Sequence, residues 1–293
     1  GNISTIQNSN NQSIVASLNF EKFYRNFKFL NKKNSFLDIL KSLKRIRFNY
    51  SENAGKVIPG YIPSIGFFGT SKPSFDFIFG NQKNIRYELA KRGYLTNFSE
   101  FNEQFQQVFN SKFEISAEIQ LLKDLKIDLN ANRNYSKNYS ENFRVEDFNY
   151  EVLNPNFYGN FSISSNMLKT SFDKKSMDQS DSFDRMKENL KIISVRLINQ
   201  KGVSNIEYDD QGFPIGFSKN SQEVLIPSFI SAYTGKKAED VSLNPISDKP
   251  KINWSIQYDG LSEAFKDIFS RISFRHSYRS NFTINNFQSN LNY

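Results

Sequence analysis

The sequence predicts an all-β protein, an antiparallel transmembrane β-barrel with long loops and a few short helices. Three observations lead to this fold class. Mean hydropathy is low, at −0.58, yet aromatic residues make up 15% of the chain, with 30 Phe and 14 Tyr. Residues 104–139 alternate between apolar and polar side chains, which is typical of a β-strand. No stretch of about 18 consecutive apolar residues occurs, so the sequence contains no candidate transmembrane helix.

The pairing of a polar composition with many aromatic residues is unusual. Disordered chains are polar but poor in aromatic residues, and soluble globular chains draw their apolar content mainly from Leu, Val and Ala. A transmembrane barrel needs both kinds of residue, because one face of each strand meets lipid and the other meets water. The composition therefore favours a barrel wall.

The alternation is clearest in a predicted β-hairpin whose turn lies at residues 121–124. Successive strand residues point to opposite faces, whereas a helix would spread both sets around its circumference. The apolar set is expected to face lipid: Phe105, Phe109, Phe113, Ile115, Ile119, Leu125, Ile127, Leu129, Tyr135 and Tyr139. The polar set is expected to line a pore: Asn110, Lys112, Glu114, Glu118, Lys126, Asp128, Asn130 and Asn132.

The length of the apolar stretch agrees with the thickness of a membrane. Residues 125–131 cover about 23 Å at roughly 3.3 Å per residue, close to the apolar band of about 25 Å found in outer-membrane barrels. Arg133 and Lys137 fall on the same face beyond this stretch, so we expect them in headgroups or water, with Tyr135 and Tyr139 at the interface. The half-buried sheet of a soluble protein would alternate in the same way, and the hairpin alone leaves that alternative open.

The remaining elements are shorter, and together they predict a partial barrel that spans residues 1–293. Ser182 is expected to cap the helix predicted at 181–199. The tight turn at 121–124 should face the periplasm, and most long connections should lie outside the cell. The pattern predicts strands at 44–52, 157–171, 252–258 and 271–293, helices at 84–93 and 181–199, and loop or helix insertions at about 53–102 and 173–251.

The chain offers few residues for catalysis or metal binding. It has no Cys and a single His, which excludes disulfides, thiol catalysis and clusters of Cys or His ligands. The acidic pairs Asp209–Asp210 and Glu239–Asp240 lack the ligand spacing of a calcium loop, and no phosphate-binding glycine loop occurs. We therefore expect no enzymatic activity, no cofactor and no metal.

The charge permits an anionic partner, since the formal net charge is +8 and the pI is about 9.3. The tightest basic run is Lys41, Lys44, Arg45 and Arg47, and it lies beside Phe48. A basic run beside an aromatic ring is also typical of an RNA-binding patch. Basic residues that flank a membrane strand explain the same run, so we expect no nucleic-acid partner.

Six segments, in the same order along the chain, resemble one family, the SprA/Sov translocon proteins of the type IX secretion system, which is associated with gliding motility. Six ordered segments are far more specific than one short motif. The segments are FNYSENAGKVIPGY (48–61), FIFG (77–80) with IRYELAKRGYLT (85–96), KDLKIDLNANRNYSKNYSENF (123–143), EVLIPSFISAYTGK (223–236), INWSIQYDGLS (252–262) and FRHSYRSNFTINNFQSN (274–290).

The resemblance implies a very large single-chain barrel in the outer membrane of a Gram-negative bacterium. Such a barrel passes folded cargo proteins, which carry a C-terminal sorting domain, to the cell surface. Implied partners are a PorV-like shuttle barrel, a periplasmic plug protein and outer-membrane lipid. The chains of this family are many times longer, so we expect this chain to be an internal fragment. The alternatives are a secreted β-rich surface adhesin or binding module, and another outer-membrane receptor barrel of the TonB type.

Overall fold

A computed structural model describes residues 3–26, 41–64, 73–173, 180–203 and 205–290. The chain divides into two compact units. The first unit comprises residues 1–163, 254–277 and 283–293, and the second comprises residues 164–253 and 278–282.

The dominant element is an antiparallel sheet of eight strands. The main path of the sheet follows the order β1-β2-β3-β4-β5-β8, while β6 pairs with β4 and with β7. This confirms the β-rich fold class with an antiparallel sheet and a few short helices. The strands are β1 Ser4–Asn19, β2 Leu43–Tyr61, β3 Phe105–Leu122, β4 Leu125–Glu146, β5 Asn149–Ser164, β6 Asn253–Tyr258, β7 Phe274–Tyr278 and β8 Asn281–Asn290.

The predicted hairpin is confirmed as β3 and β4, with the turn between Leu122 and Leu125. Glu114 lies opposite Asn132, and Ile115 lies opposite Ala131. Because the register is continuous along most of both strands, the apolar set stays on one face and the polar set on the other. The two strands have 18 and 22 residues, longer than the roughly 9 to 11 residues that a tilted strand needs to cross a bilayer.

Two strands differ from the prediction at their ends. β2 continues to Tyr61, so the insertion predicted at 53–102 begins later than expected. β5 begins at Asn149 and ends at Ser164, before the predicted end at residue 171. Its early start follows from a two-residue turn in which Asp147 and Phe148 both adopt positive φ, at 47° and 63°, as a type I′ hairpin turn requires.

Two further strand predictions need correction. β1 was not predicted, because its sequence is mostly Asn, Ser and Gln, yet it pairs with β2 along nearly its whole length. The tail at 271–293 forms two strands, β7 and β8, rather than one. The chain leaves the sheet after β5, forms the second unit and returns as β6 beside β4.

Helices connect the strands. They are α1 Phe20–Asn26, α2 Phe75–Ile78, α3 Arg86–Lys91, α4 Asp181–Gln200, α5 Gln222–Thr234 and α6 Leu261–Ala264. The helices predicted at 84–93 and 181–199 are confirmed as α3 and α4. The predicted cap is wrong: the Ser180 side chain caps α4 by accepting a bond from Phe183 N, while the Ser182 hydroxyl donates to Asp173 at 2.8 Å. No helix of the described residues is both long and apolar enough to span a membrane.

The second unit is built on α4 and α5. The apolar stripe of α4 buries Ile193, Leu197 and Ile198, and α5 buries Val224 and Ile230. The Asn189 side chain of α4 donates to the Ser231 hydroxyl of α5 at 3.1 Å. The stripe therefore packs on a helix that the sequence did not predict. The ends of the unit meet where Lys251 N donates to Ser164 O at 2.8 Å.

The buried core of the first unit lies at one end of the sheet, beneath residues 73–101, which we call the cover segment. Phe77, Ile85, Leu89, Ala90 and Leu95 of this segment pack on strand residues. The strand residues of this core are Ile6, Ile58, Tyr61, Phe105, Phe143, Val145 and Tyr150. The cover segment therefore conceals the strand ends opposite the β3–β4 turn.

Replacing Gly80 with Ala should loosen the cover segment. Gly80 has a φ of +79°, and a Cβ would lie 2.6 Å from Ser9 O of β1. Left-handed backbone costs a non-Gly residue roughly 1–2 kcal/mol, and the contact adds to this. We expect limited proteolysis to cut residues 73–101 faster in Gly80→Ala. Gly216→Ala is the control, because Gly216 has a φ of +89° with nothing within 4 Å. Equal cleavage rates in the two variants would show that this contact does not hold the segment.

Candidate functional site

The sheet has an aromatic face, formed by odd-numbered residues of β3 and β4 and even-numbered residues of β2. Rings from neighbouring strands touch across this face. Ring centroids lie 5.5 Å apart for Phe48 and Phe113, 6.1 Å for Phe109 and Tyr135, and 6.4 Å for Tyr135 and Phe161. Edge-to-face and tilted pairs at these distances each stabilise by about 0.5–1.5 kcal/mol beyond their burial. Ring contacts thus link β2 to β3, β3 to β4, and β4 to β5.

The structure places nine of the ten predicted lipid-facing residues on this face without burying them. Ile115 is 38% exposed, and the other eight are half-buried: Phe109, Phe113, Ile119, Leu125, Ile127, Leu129, Tyr135 and Tyr139. Phe105 is the exception, because it is only 1% exposed and lies beneath Arg86 of the cover segment. The expectation that Phe105 faces lipid is therefore wrong.

Two cations mark the edge of the purely apolar part of the face. Arg133 lies opposite Phe113, and Lys137 lies opposite Phe109. Lys137 Nζ is 4.7 Å from the ring centroid of Phe157, a cation–π distance. Phe109 therefore lies level with a charge and beyond the uninterrupted stretch. That stretch, the apolar band, comprises Ile46, Phe48, Ile115, Ala117, Ile119, Leu125, Ile127, Leu129 and Ala131.

All eight predicted pore-lining residues share the opposite, polar face. Asn110 and Lys112 line a groove of about 560 Å³ that crosses five strands. Lys112 pairs with Glu114 at 2.9 Å, and Asn49 Nδ2 donates to Glu114 at 3.2 Å. Lys126 lies 3.6 Å from Glu118 and 3.5 Å from Asp128. The charges of both signs are interspersed, so this face presents no field of a single sign.

The groove contains residues that the sequence analysis missed. Its lining also includes Asn11 and Ser13 of β1, Ser51 and Asn53 of β2, Asn134 and Ser136 of β4, and Asn160 of β5. The shared signal is an Asn or Ser at every second strand position, which is visible in residues 11–13, 51–53 and 134–136. The alternation can be recognised from the sequence of β4. The groove residues of β1 were missed because β1 was not predicted as a strand.

A buried ion pair joins the cover segment to the sheet. Arg86 Nη1 donates to Glu141, which is 0% exposed. Tyr150 OH donates to the same carboxylate at 2.6 Å, and Tyr139 OH donates to its other oxygen. The Arg86 guanidinium also lies 4.2 Å from the ring centroid of Phe105. The charge of Glu141 is thus fully hydrogen-bonded, which a buried carboxylate requires.

The surroundings of Arg86 favour its charged form. Burial lowers the pKa of Arg86, but the charge of Glu141 and the hydrogen bond with Tyr139 outweigh this, and the pKa is raised overall. We call the pair of Arg86 and Glu141 the latch.

Scans against protein-family models and against curated proteins found no match to this chain. Among the described residues, no group of three or more His, Asp or Glu residues could hold a metal ion.

Removing Glu141 should release the cover segment. Glu141→Leu leaves Arg86 as an uncompensated buried charge, which costs roughly 3–5 kcal/mol, whereas the double variant Glu141→Leu/Arg86→Met should cost much less. Faster hydrogen exchange at the backbone amides of Leu89 and Arg92, both in the cover segment, measures this loss of stability.

Glu88→Leu is the matched control, because it breaks the exposed Glu88–Arg92 pair of the same segment. Surface pairs contribute about 0–1 kcal/mol, so exchange should hardly change. Equal effects of Glu88→Leu and Glu141→Leu would contradict the role of the latch.

Proposed function

We propose that this chain is part of the wall of a very large outer-membrane β-barrel that conducts folded proteins to the cell surface, as a type IX secretion translocon does. Its aromatic face meets lipid and its polar face lines the pore. The protein is a channel and not an enzyme. The observation that carries the proposal is a sheet with one aromatic face and one groove-forming polar face.

The aromatic face supports a lipid environment because, among the described residues, no second protein layer buries most of the apolar band on β3 and β4; Ala131, at one end of the band, is buried. Ile115, Ile127 and Leu129 remain half-buried or exposed, and the described residues contain one sheet, not a sandwich of two. A soluble sheet protein buries its apolar face against another layer. Lipid tails would cover these side chains without a second protein layer.

The polar face supports a conduit for protein. A pore for folded cargo must offer neither apolar patches that bind cargo nor a field of one sign that traps it. The groove is lined mainly by Asn and Ser, and the charged residues nearby pair with one another. Amide and hydroxyl groups hold water, so cargo would meet a hydrated wall.

The six segments that resemble SprA/Sov translocon proteins supply the finer parts of the proposal. These are the size of the complete barrel, the outer membrane of a Gram-negative cell, cargo with a C-terminal sorting domain, and the two protein partners, the PorV-like shuttle and the periplasmic plug. The eight strands in the described part of the chain are too few to enclose a lumen as wide as a protein. The proposal therefore places the chain within a longer polypeptide.

Site-specific photocrosslinking tests the proposal in the full-length parent protein in its own cells. A photoreactive amino acid at Asn110 or Asn134, on the groove, should capture exported proteins with sorting domains during active secretion. At Ile127 or Leu129, on the apolar band, it should capture no exported cargo. All four sites lie in the β3–β4 hairpin, so the two groups differ in which face of the sheet carries the photoreactive side chain.

Three results would contradict the translocon. The parent protein could be recovered in the soluble fraction, as the adhesin alternative requires. Cargo could crosslink equally from both faces. Export could also continue unchanged in cells that lack the parent protein.

A further inference from the structure

On the aromatic face, β3, β4 and β5 carry a row of rings just beyond the apolar band. Phe109 and Tyr135 contact one another, and the centroids of Tyr139 and Phe157 lie 4.5 Å apart. Transmembrane barrels carry such aromatic girdles where the apolar band ends and the headgroups begin. We call this row the girdle.

The girdle stops at β2. The register continues the girdle level across β2 and β1, but the residues there are small or polar. Tyr135 lies level with Ser111, Glu52 and Gln12, while Phe109 lies level with Ala54 and Asn10. Along these hydrogen-bonded rows, β2 and β1 carry no aromatic side chain, and the nearest ring is that of Tyr50, one step along β2, whose hydroxyl donates to Glu52 at 2.6 Å.

Helix α2 of the cover segment lies over this gap. Phe79 lines a groove of about 420 Å³ together with Asn10, Gln12, Glu52 and Ala54, so its ring lies at the girdle level of β1 and β2. The Phe75 and Phe79 rings are 5.2 Å apart, and these residues are 64% and 74% exposed. Aromatic pairs this exposed on the outer side of a sheet usually mark a contact surface.

The helix is held in place from beneath. Phe77 is buried in the core of the first unit, and the Asn8 side chain of β1 donates to Phe77 O at 2.9 Å and to Asn81 O at 3.0 Å. The backbone at Gly80 approaches Ser9 O so closely that no Cβ fits. With Phe77 turned inward and α2 fixed to β1, Phe75 and Phe79 face outward.

We propose that α2 is an interfacial membrane anchor that completes the aromatic girdle over β1 and β2, with Phe75 and Phe79 inserted at the boundary of acyl chains and headgroups. The partner is the lipid surface itself. This inference rests on the proposed function, because it needs the aromatic face to meet lipid. It adds that a connecting segment, and not a strand, supplies the girdle at this place.

Lipid binding follows from the position and chemistry of the two rings. They continue the surface of the girdle, and amphipathic aromatic helices lie at this depth in membranes. Lys83 in the same segment is exposed, and a cationic side chain beside an interfacial helix favours anionic headgroups. A helix of four residues is too short to cross a bilayer, so it can only lie at the interface.

Photoreactive lipids test this in the full-length parent protein, purified and reconstituted into phospholipid vesicles so that both leaflets contain the probe. One phospholipid carries a diazirine next to the glycerol, and a second carries it at the end of the acyl chain. Mass spectrometry then locates the labelled residues. We expect the shallow probe to label residues 75–79 and the deep probe to label residues 125–131. Phe75→Asn/Phe79→Asn should reduce shallow labelling of α2 several-fold and leave deep labelling of β4 unchanged.

The four outcomes are distinguishable. Shallow labelling of α2 with deep labelling of β4 supports the anchor. Deep labelling of β4 without shallow labelling of α2 overturns the anchor and leaves the proposed channel standing. Labelling of α2 alone contradicts the membrane-spanning strands. Labelling of neither overturns both.

Phe148→Asn provides the matched control, because Phe148 is also 64% exposed but lies in the β4–β5 turn. This variant should leave labelling of α2 unchanged. A fall equal to that of the double variant would show that the loss is not specific to the two rings of α2.

Discussion

The rest of the structure depends on the register between β3 and β4. Side chains alternate faces along a strand, so a slip of one residue would exchange every apolar and polar position. The register places Glu114 opposite Asn132 and Ile115 opposite Ala131. These pairings determine which side chains lie on each face of the hairpin. β2 and β1 then extend the same alternation outward, one neighbour at a time. The proposed lipid-facing and pore-lining roles are thus two consequences of one pairing.

The cover segment sets where the exposed part of the aromatic face ends. Beneath it, the face is a protein core with a buried ion pair between Arg86 and Glu141. Beyond it, rings and apolar side chains meet the surroundings. Desolvating two charges costs several kcal/mol per ion, so such a pair is tolerated only with full hydrogen bonding. The two tyrosine hydroxyls on Glu141 supply those bonds.

The hairpin, two helices and the polar face could be predicted, because their signals are local and periodic. β1 could not be, since only pairing with β2 makes a strand of a segment so rich in Asn and Ser. The burial of Phe105 was not predicted, because it depends on Arg86, which lies in a different segment of the chain. The β4–β5 turn lacks the usual glycine, and Pro227 within α5 argued against a helix. These misses arise from tertiary contacts or from local sequences that depart from the usual rule.

Cysteine scanning along β4 tests most directly whether the aromatic face meets lipid. The chain has no Cys of its own, so single substitutions from Ile127 to Asn132 can be introduced into the parent protein, with any cysteine elsewhere removed. In lipid bilayers, a nitroxide attached to each cysteine before reconstitution should collide mainly with dissolved oxygen at positions 127 and 129. It should collide mainly with a water-soluble nickel chelate at positions 128, 130 and 132. Access of the nickel chelate to both sets, or exclusion of both relaxing agents from positions 127 and 129, would contradict the account.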